Sequence, residues 1–440
     1  MKKIFILMTL MLAVIIANPV DAKEEKLENA VYLGVENYNQ LEAAEKDDFK
    51  YNFFVDGEVV TYSVSTAGDY KIKNILAQGY VYDIEVKDNV VIKAEEKAPV
   101  AMGKVDSYET GKITVKGKSY PVKEGVKFYE ITTEPGGAKV EGTSLKTGDS
   151  VKIYGNPAEA IYKTFISEEY TAPVKGEPGL KTVKNFLMTA FEPVGTTNYI
   201  YGGGWDWQDV GTSNMAKSIG ISDKWVDFFQ KNNLNYTYKN GDKEQESYYP
   251  HKAYNEYYYA GLDCSGYVGW VMYNNFNTES GKDGYVQSAR KMAKTFAEKY
   301  NYGTFTDKIK VEEFKPGDVF SMGGHVWICV GKCDDGSLVI LHSTPSASYS
   351  EKSGGGVQLS ALGKDEHCEA FALASKYMEK FYPLWSTRYH AVLRSYESYT
   401  NISREGVGKF SWDISDKGLL DPDGYRNMSA AEVLKDIFGE

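Results

Sequence analysis

The chain has 440 residues, which at about 100–200 residues per domain predicts roughly two to four domains. Its composition, 42% hydrophobic and 25% charged, is that of a globular protein and excludes disorder as the dominant state. The net charge of −11 is spread along the chain without a basic block, so nucleic acids and anionic membrane surfaces are unsuitable partners. The 35 tyrosines fit two interpretations, many β-strands or a wet surface that contacts sugars or peptides.

The first 22 residues have the pattern of a secretory signal peptide. Lys2 and Lys3 precede an apolar run over residues 4–17, and small residues follow at 20–22. The run is too short for a membrane-spanning helix, no Cys stands at the cleavage point, and no later segment is apolar over about 18 residues. The sequence therefore predicts a secreted, extracellular protein with no membrane span once residues 1–22 are removed.

Residues 27–170 are predicted to be β-rich, because short alternating runs are separated by Gly-containing turns. Two motifs recur weakly in this region. Val-Asp-Gly at 55–57 resembles Val-Lys-Gly at 115–117, and Leu-Ala-Gln-Gly at 76–79 resembles Leu-Lys-Thr-Gly at 145–148. The pattern indicates a possible duplicated barrel or sandwich in which one copy has an insertion. The region has no His and no Cys, so no active centre is expected there. Residues 171–182, with two Pro and two Gly, are predicted to be an interdomain linker.

Beyond residue 182 the pattern changes to an α+β order, in which helices come first and a small antiparallel sheet follows. All five His and all four Cys lie between residues 251 and 390. Hydrophobic spacing predicts helices at 184–191, 223–230, 264–273, 287–300, 369–381 and 430–438, and strands at 318–331, 337–343 and 389–394.

Cys264 is the candidate nucleophile because Asp263 is a suitable N-cap and an apolar helix pattern follows. In the first helical turn, the helix dipole and free N–H groups favour the thiolate. Cys329 lies in an apolar strand and is expected to be buried and inert. The four Cys match no zinc pattern, and a disulfide between Cys333 and Cys368 is left open.

His325 is the candidate general base, since it begins an apolar strand just after Gly323-Gly324. If residues 333–336 form a four-residue hairpin loop, His342 faces Trp327, and His325 lies on the same sheet face about 7 Å away. His342 would then orient the His325 ring, which with Cys264 is expected to form a thiolate–imidazolium pair. The other histidines, at 251, 367 and 390, have no such context. No metal is expected, because His325 and His342 lack a third and fourth ligand.

These motifs resemble the NlpC/P-sixty family of cell-wall cysteine peptidases. The resemblance covers about residues 186–396 and rests on four elements: Asp-Cys-Ser-Gly-Tyr at 263–267, Gly-Asp-Val-Phe at 317–320 leading to Gly-Gly-His-Val at 323–326, His342, and the aromatic-Gly-Gly element Tyr-Ile-Tyr-Gly-Gly at 199–203.

The resemblance implies a papain-like α+β catalytic domain at 183–396 that cleaves peptidoglycan stem peptides, commonly between γ-D-glutamate and a diamino acid. It assigns Cys264 as nucleophile, His325 as base and His342 as the orienting residue, without a cofactor. It further implies that Tyr199, Asp263 and Ser265 line the substrate groove; Asp263 could also pair with a free peptide amine by its charge alone. Relatives often carry SH3-like barrels before this domain, so residues 27–170 fit a wall-binding region. The protein is expected to be a monomer associated with the cell wall.

The sequence departs from the family pattern in two places. An insertion at 205–260 separates the aromatic-Gly-Gly element from the nucleophile and is expected to form a wall or lid over the groove. The extension at 397–440 has no assigned role. Two other functions stay open: an amidase of the CHAP type that cuts between muramic acid and L-Ala, and a wall-binding protein with a degenerate catalytic domain.

Overall fold

The computed structural model describes residues 24–36, 50–64, 76–134, 137–206, 211–232, 257–307, 314–345, 355–388, 392–402 and 405–440. The fold is mixed α+β, with more strand than helix. The predicted signal peptide, residues 207–210 and 233–256 of the predicted insertion, His251 and His390 lie outside the described residues.

The first five strands form a closed barrel in the order β1-β2-β3-β5-β4. Their bounds are β1 Glu24–Val35, β2 Lys50–Val55, β3 Glu58–Val64, β4 Val81–Lys87 and β5 Val90–Glu96. The barrel closes because β1 pairs with both β2 and β4. Asp56 and Gly57 connect β2 to β3 with φ angles of 52° and 99°, and two positive φ angles are the requirement of a tight hairpin turn.

The next seven strands form a second sheet in the order β10-β9-β12-β11-β6-β7-β8. Their bounds are β6 Ala101–Glu109, β7 Lys112–Val115, β8 Lys118–Pro121, β9 Phe128–Glu134, β10 Gly137–Thr143, β11 Ser150–Tyr154 and β12 Ala160–Lys163.

The two β units share one pairing pattern. In the barrel β1 pairs with β2 and β4, and in the second sheet β6 pairs in the same way with β7 and β11. The parallel pair of β3 and β5 has its counterpart in the parallel bridge between Val122 and Ala158, beside β8 and β12. The hairpin of β9 and β10 is the extra element of the second unit. This pattern supports the interpretation of a duplicated unit with one insertion.

The remainder of the chain forms a helical layer and a nine-stranded sheet. The helices are α1 Val183–Phe191, α2 Asp223–Lys231, α3 Cys264–Phe276, α4 Met292–Glu298, α5 Glu369–Phe381, α6 Pro383–Arg388, α7 Tyr396–Tyr399 and α8 Ala430–Phe438. The strands are β13 Asn198–Tyr199, β14 Trp205–Asp206, β15 Gly211–Thr212, β16 Gly261–Leu262, β17 Gly303–Thr306, β18 Val319–Met322, β19 His325–Lys332, β20 Leu338–Pro345, β21 Gly355–Gly363, β22 Val392–Ser395 and β23 Gly408–Trp412. None of these helices is both long and apolar enough to cross a bilayer.

The sheet order is β16-β13-β21-β20-β19-β18-β23-β17, with β22 beside β21 and a separate pair of β14 and β15. The two faces of the central strands belong to different cores, because successive side chains of a strand point to opposite sides. Val326 and Ile328 pack with α3 in the large core, whereas Trp327 and Cys329 pack in a smaller core on the other face.

The helix ends follow local sequence signals. Thr182, Ser222 and Asp263 cap α1, α2 and α3 with side-chain oxygens that accept backbone N–H groups. Ser429 and Glu432 form a reciprocal capping box at the start of α8. Two expectations are corrected: the helix predicted at 287–300 is a short 3-10 turn followed by α4, and the strand predicted at 318–331 is an antiparallel hairpin of β18 and β19.

Helix α2, inside the predicted insertion, joins the β units to the rest of the chain. The Tyr80 hydroxyl, next to β4, donates to Asp227 Oδ2 on α2 at 2.7 Å. An apolar cluster that includes Ala77, Ile200 and Phe228 covers the same junction. The segment 171–182, predicted as a linker, is itself packed: a Cβ on Gly176 would lie 2.1 Å from Thr189 Oγ1 of α1. The insertion thus forms part of an interface between units.

The segment at 397–440 is part of the central sheet, which corrects the expectation of a separate extension. Strand β23 lies between β17 and β18. Asp318, fully buried at the start of β18, accepts from Arg426 at 2.7 Å and pairs with Lys409 at 3.5 Å. Two cations from the tail therefore neutralise a carboxylate of the preceding segment, so the sheet and its charge balance both need residues beyond 396.

Candidate active site

Cys264 is the first residue of α3 and therefore lies in the first helical turn. Asp263 is extended at the N-cap, where its Oδ1 accepts the Gly266 N–H at 2.7 Å and the Ser265 hydroxyl at 2.9 Å. The Cys264 side chain is 6% exposed. The cap thus orients the start of the helix and leaves the thiol at its N-terminal end.

A glycine turn at 202–204 holds the start of α3 from the other side. A Cβ on Gly266 would lie 2.1 Å from the Gly203 carbonyl oxygen, and a Cβ on Gly204 would lie 2.6 Å from the Gly266 Cα. The two backbones approach so closely that only glycine fits at these positions. Trp205 closes the arrangement, since its Nε1 donates to Ser265 Oγ at 3.1 Å. The aromatic-Gly-Gly element thus contacts the nucleophile helix directly, although more than 50 residues separate them in sequence.

The two candidate catalytic histidines meet across β19 and β20. His325 Nε2 and His342 Nδ1 are 2.9 Å apart, and the ring centroids are 5.0 Å apart. His342 is fully buried. The structure therefore brings these two residues together in the relation that the strand register predicted.

The strand pairing that brings the two histidines together differs from the predicted pairing in two ways. The hairpin loop is one residue longer than 333–336, because Lys332 pairs with Leu338. Continued along the strand, that pairing would put the two histidines on opposite faces. A bulge between Cys329 and Gly331 shifts the pairing, so that Ile328 lies opposite Leu341. The bulge returns both histidines to one face.

The Cys264 thiol lies against the backbone on either side of His325. Its Sγ is 3.9 Å from the Gly324 carbonyl oxygen, and the Val326 N–H is among the groups that stabilise its charge. Within the described residues, no hydrogen bond links Sγ to the His325 ring itself. Val326 and Ile328 face α3, and the alternation of the strand puts the His325 side chain on the other face with Trp327. Transfer of a proton from Sγ to the His325 ring therefore belongs to the proposal below.

Burial dominates the electrostatics of the site. It raises the pKa of the Cys264 thiol, and the Asp263 carboxylate adds to this effect. Burial lowers the pKa of His325 to about 3, with a smaller contribution from the Arg394 guanidinium. The pKa of His342 is lowered by burial, by His325 and by Arg394. Desolvation therefore favours the neutral thiol and the neutral imidazole over the expected thiolate–imidazolium pair.

Two further buried side chains extend the array and were missed by sequence reasoning. His342 Nε2 is 2.8 Å from Ser360 Oγ, which in turn accepts from Gln358 Nε2 at 2.9 Å. Both residues belong to β21, where polar side chains alternate with the apolar Val357, Leu359 and Ala361. That alternation was the available signal. Tyr399 of α7 stacks edge-on against His325, with centroids 5.5 Å apart.

The three predicted groove residues occupy different environments. Tyr199 is on β13, paired with the strand that leads into α3, and is 9% exposed. Ser265 is buried between Trp205 and Asp263. The pKa of Asp263 is raised to about 6, chiefly by burial. Asp263 and Ser265 thus brace the nucleophile helix in the described structure, and their contact with substrate stays a prediction.

Among the described residues, Cys329, Cys333, Cys368 and His367 make no hydrogen bond to this array. Cys329 is fully buried in the smaller core, as expected from its apolar strand, and His367 is exposed. Cys333, Asp335 and Glu369 place three ligand-type atoms within 4.8 Å of one another. The two carboxylates already accept backbone N–H groups that join the loop after β19 to the start of α5, so they serve as caps.

No protein-family model, curated protein or solved structure matches the chain.

Proposed function

We propose that the protein is a secreted peptidoglycan hydrolase of the NlpC/P-sixty type, with a papain-like catalytic domain. Cys264 is the nucleophile, His325 the general base and His342 the residue that orients it. The observation that carries the proposal is a thiol at a capped helix start, 3.9 Å from the carbonyl oxygen of Gly324. The next residue is His325, whose Nε2 is 2.9 Å from His342 Nδ1.

The proposed reaction is acyl transfer to the thiol followed by hydrolysis. His342 engages His325 Nε2, which leaves His325 Nδ1 to accept the thiol proton as Sγ attacks the peptide carbonyl carbon. The carbonyl electron pair moves to oxygen and returns as the C–N bond breaks, and the amine leaves with the proton from His325. Water then attacks the thioester, gives its proton to His325, and releases the acid and the free thiol.

In the proposed reaction His325 acts as a general base in the transition state. Because burial raises the pKa of the thiol and lowers that of the imidazole, the proton moves as the sulfur attacks and not beforehand. The Cys264 backbone N–H at the start of α3 helps to stabilise the oxyanion in this proposal.

The proposed substrate is the stem peptide of peptidoglycan, cut between γ-D-glutamate and a diamino acid. The resemblance of residues 199–203, 263–267 and 317–326 to the family supports this choice. A cavity of about 290 Å³ lies between the barrel and the insertion, and its lining does not include Cys264, His325 or His342. Its lining includes Glu96 of β5 and Tyr258, and the Tyr258 ring packs against Gly202 of the turn that holds α3.

The β-rich half is proposed to bind the wall and to limit access to this groove. Its two β units share one pairing pattern, and residues 23–170 hold no His or Cys that would form a second active centre. Loss of sacculus binding on removal of residues 23–170 is the expected result. Equal binding by the shortened protein would reject this role.

The test of the proposed function is mass spectrometry of purified muropeptides after incubation with the mature protein. We expect fragments with a new diamino-acid N-terminus and a free γ-D-glutamyl carboxylate. Fragments that begin with L-Ala would indicate the CHAP-type amidase instead, and intact muropeptides would reject both hydrolases.

Two cysteine variants serve as controls. Cys264→Ala is expected to abolish cleavage without loss of folding, because only this thiol performs the attack. Cys329→Ala removes a buried thiol of the same sheet that packs in the smaller core without a hydrogen bond to the array, and it should retain cleavage.

A further inference from the structure

Four polar side chains on three neighbouring strands form one buried hydrogen-bonded row. His325 is on β19, His342 on β20, and Gln358 and Ser360 on β21. His342 lies directly opposite Gln358, and Ser360 is two residues along on the same face. The links are 2.9 Å from His325 to His342, 2.8 Å from His342 to Ser360 and 2.9 Å from Gln358 to Ser360.

This row permits two opposite directions of hydrogen bonding. In one, His325 Nε2–H donates to His342 Nδ1, and His342 Nε2–H donates to Ser360 Oγ. In the other, the Ser360 hydroxyl donates to His342 Nε2, and His342 Nδ1–H donates to His325 Nε2. The second direction puts the remaining ring proton of neutral His325 on Nδ1, where it blocks acceptance of a proton from Cys264.

We propose that Ser360 is a positioning residue that accepts the His342 Nε2–H and thereby sets the tautomer of both histidines for catalysis. The inference rests on the proposed function, since it concerns the base of that reaction. Donation away from His325 also stabilises the imidazolium that forms when His325 takes the thiol proton. The same direction of hydrogen bonding therefore leaves His325 Nδ1 free before the reaction and stabilises the imidazolium during it.

Burial makes the Ser360 hydroxyl hard to replace. Ser360 and His342 are fully buried and Gln358 is 1% exposed, so bulk water does not reach these three side chains. Loss of the hydroxyl would leave His342 Nε2–H as a buried unpaired donor, which is less tolerated than an unpaired acceptor. Ser360→Ala is therefore expected to shift His342 to the Nδ1–H tautomer and to disable His325 as a base.

The first test measures tautomers and does not depend on activity. The full-length protein is labelled with ¹⁵N-histidine, and its five histidines give at most five ring systems in long-range ¹H–¹⁵N spectra. We expect His342 as the Nε2–H tautomer in the wild type and as the Nδ1–H tautomer in Ser360→Ala. An Nδ1–H tautomer in the wild type, or no change in the variant, would overturn the inference.

The second test measures turnover of muropeptides. Ser360→Ala should lower kcat by about 10–100-fold with little change in KM, the size expected for a misplaced catalytic group. Ser360→Thr keeps the hydroxyl and should retain the wild-type tautomer and most of kcat. Thermal unfolding monitors whether the added methyl group is accommodated.

Ser321→Ala is the matched control, because Ser321 is a fully buried serine of β18 whose Oγ accepts the Ala293 N–H away from the row. An equal fall in kcat for Ser321→Ala and Ser360→Ala would show a general structural effect and overturn the positioning role. Failure of the proposed function is distinguishable, since the wild type would then lack turnover whatever the tautomers are.

Discussion

Replacement of Gly266 by Ala probes the close contact between the glycine turn and the nucleophile helix. The added Cβ would lie 2.1 Å from the Gly203 carbonyl oxygen and 3.1 Å from the Gly204 Cα. Both neighbours are backbone atoms, so no side-chain rotation relieves the overlap. The two segments must separate by about 1 Å, a misplacement that costs roughly 100-fold in kcat/KM.

Gly269→Ala is the matched control on the same helix. Its Cβ would lie 2.4 Å from Val286 Cγ2 and 3.0 Å from the Val286 Cα, one turn further along α3 and away from the glycine turn. Both variants should lose about 1–3 kcal/mol of unfolding free energy from overpacking. Only Gly266→Ala should also lose about 2.7 kcal/mol of transition-state stabilisation, the equivalent of 100-fold.

The assay combines urea unfolding of each variant with kcat/KM on a purified muropeptide under conditions where both variants are folded. Activity of Gly266→Ala equal to that of Gly269→Ala would refute the reasoning. It would mean that the position of the glycine turn relative to Cys264 does not matter for turnover.

Four further predictions follow from the charges and contacts of the site. Alkylation of Cys264 by iodoacetamide should be slow at neutral pH and rise only above the ordinary thiol pKa, because burial raises the pKa of the thiol; a rate that titrates below pH 7 would support the ion pair instead. Since the pKa of His325 is about 3 in the folded state and about 6.5 when unfolded, the unfolded chain binds more protons and stability falls as pH drops from 6.5 to 3. The urea midpoint of His325→Gln should therefore fall less between pH 6.5 and 3 than that of the wild type. An identical fall would contradict a lowered pKa of His325. His342→Gln should keep more activity than His342→Ala, because the amide can accept from His325 Nε2, while His325→Gln should be nearly inactive; equal losses for the two Gln variants would mean that base and orienting residue are exchanged. Arg426→Ala should cost about 3 kcal/mol of unfolding free energy, since it leaves buried Asp318 with one partner fewer; a change below about 1 kcal/mol would show that the tail contributes little.

The start of α3 was predictable because its signals are local. Asp263 at the cap, Cys264 in the first turn and the apolar residues that follow depend only on neighbours within one helical turn. The same holds for α5 at 369–381 and α8 at 430–438, whose bounds agree with the predicted ones. The strands of the β-rich half were likewise recognisable from alternation and Gly-containing turns.

The hairpin that carries the two histidines was only partly predictable. Period-two alternation and the turn residues located β19 and β20, but the loop length was misjudged by one residue and the bulge near Val330 leaves no local signature. His342 and His325 lie on the same face because the longer loop and the bulge offset each other. A register depends on the pairing partner, and a single sequence contains no measure of that partner's position.

The sequence by itself determined the elements whose free energy depends on near neighbours: the caps, the helix that begins at Cys264, and the apolar strands that bear the histidines. Tertiary structure decided three things. It brought the glycine turn at 202–204 against Gly266, and it placed β23 of the tail between β17 and β18. It also buried Cys264 and His342 and partly buried His325, and this desolvation favours the neutral form of each group. Each depends on contacts between residues far apart in the chain, and such contacts set burial and dielectric environment, which local patterns do not encode.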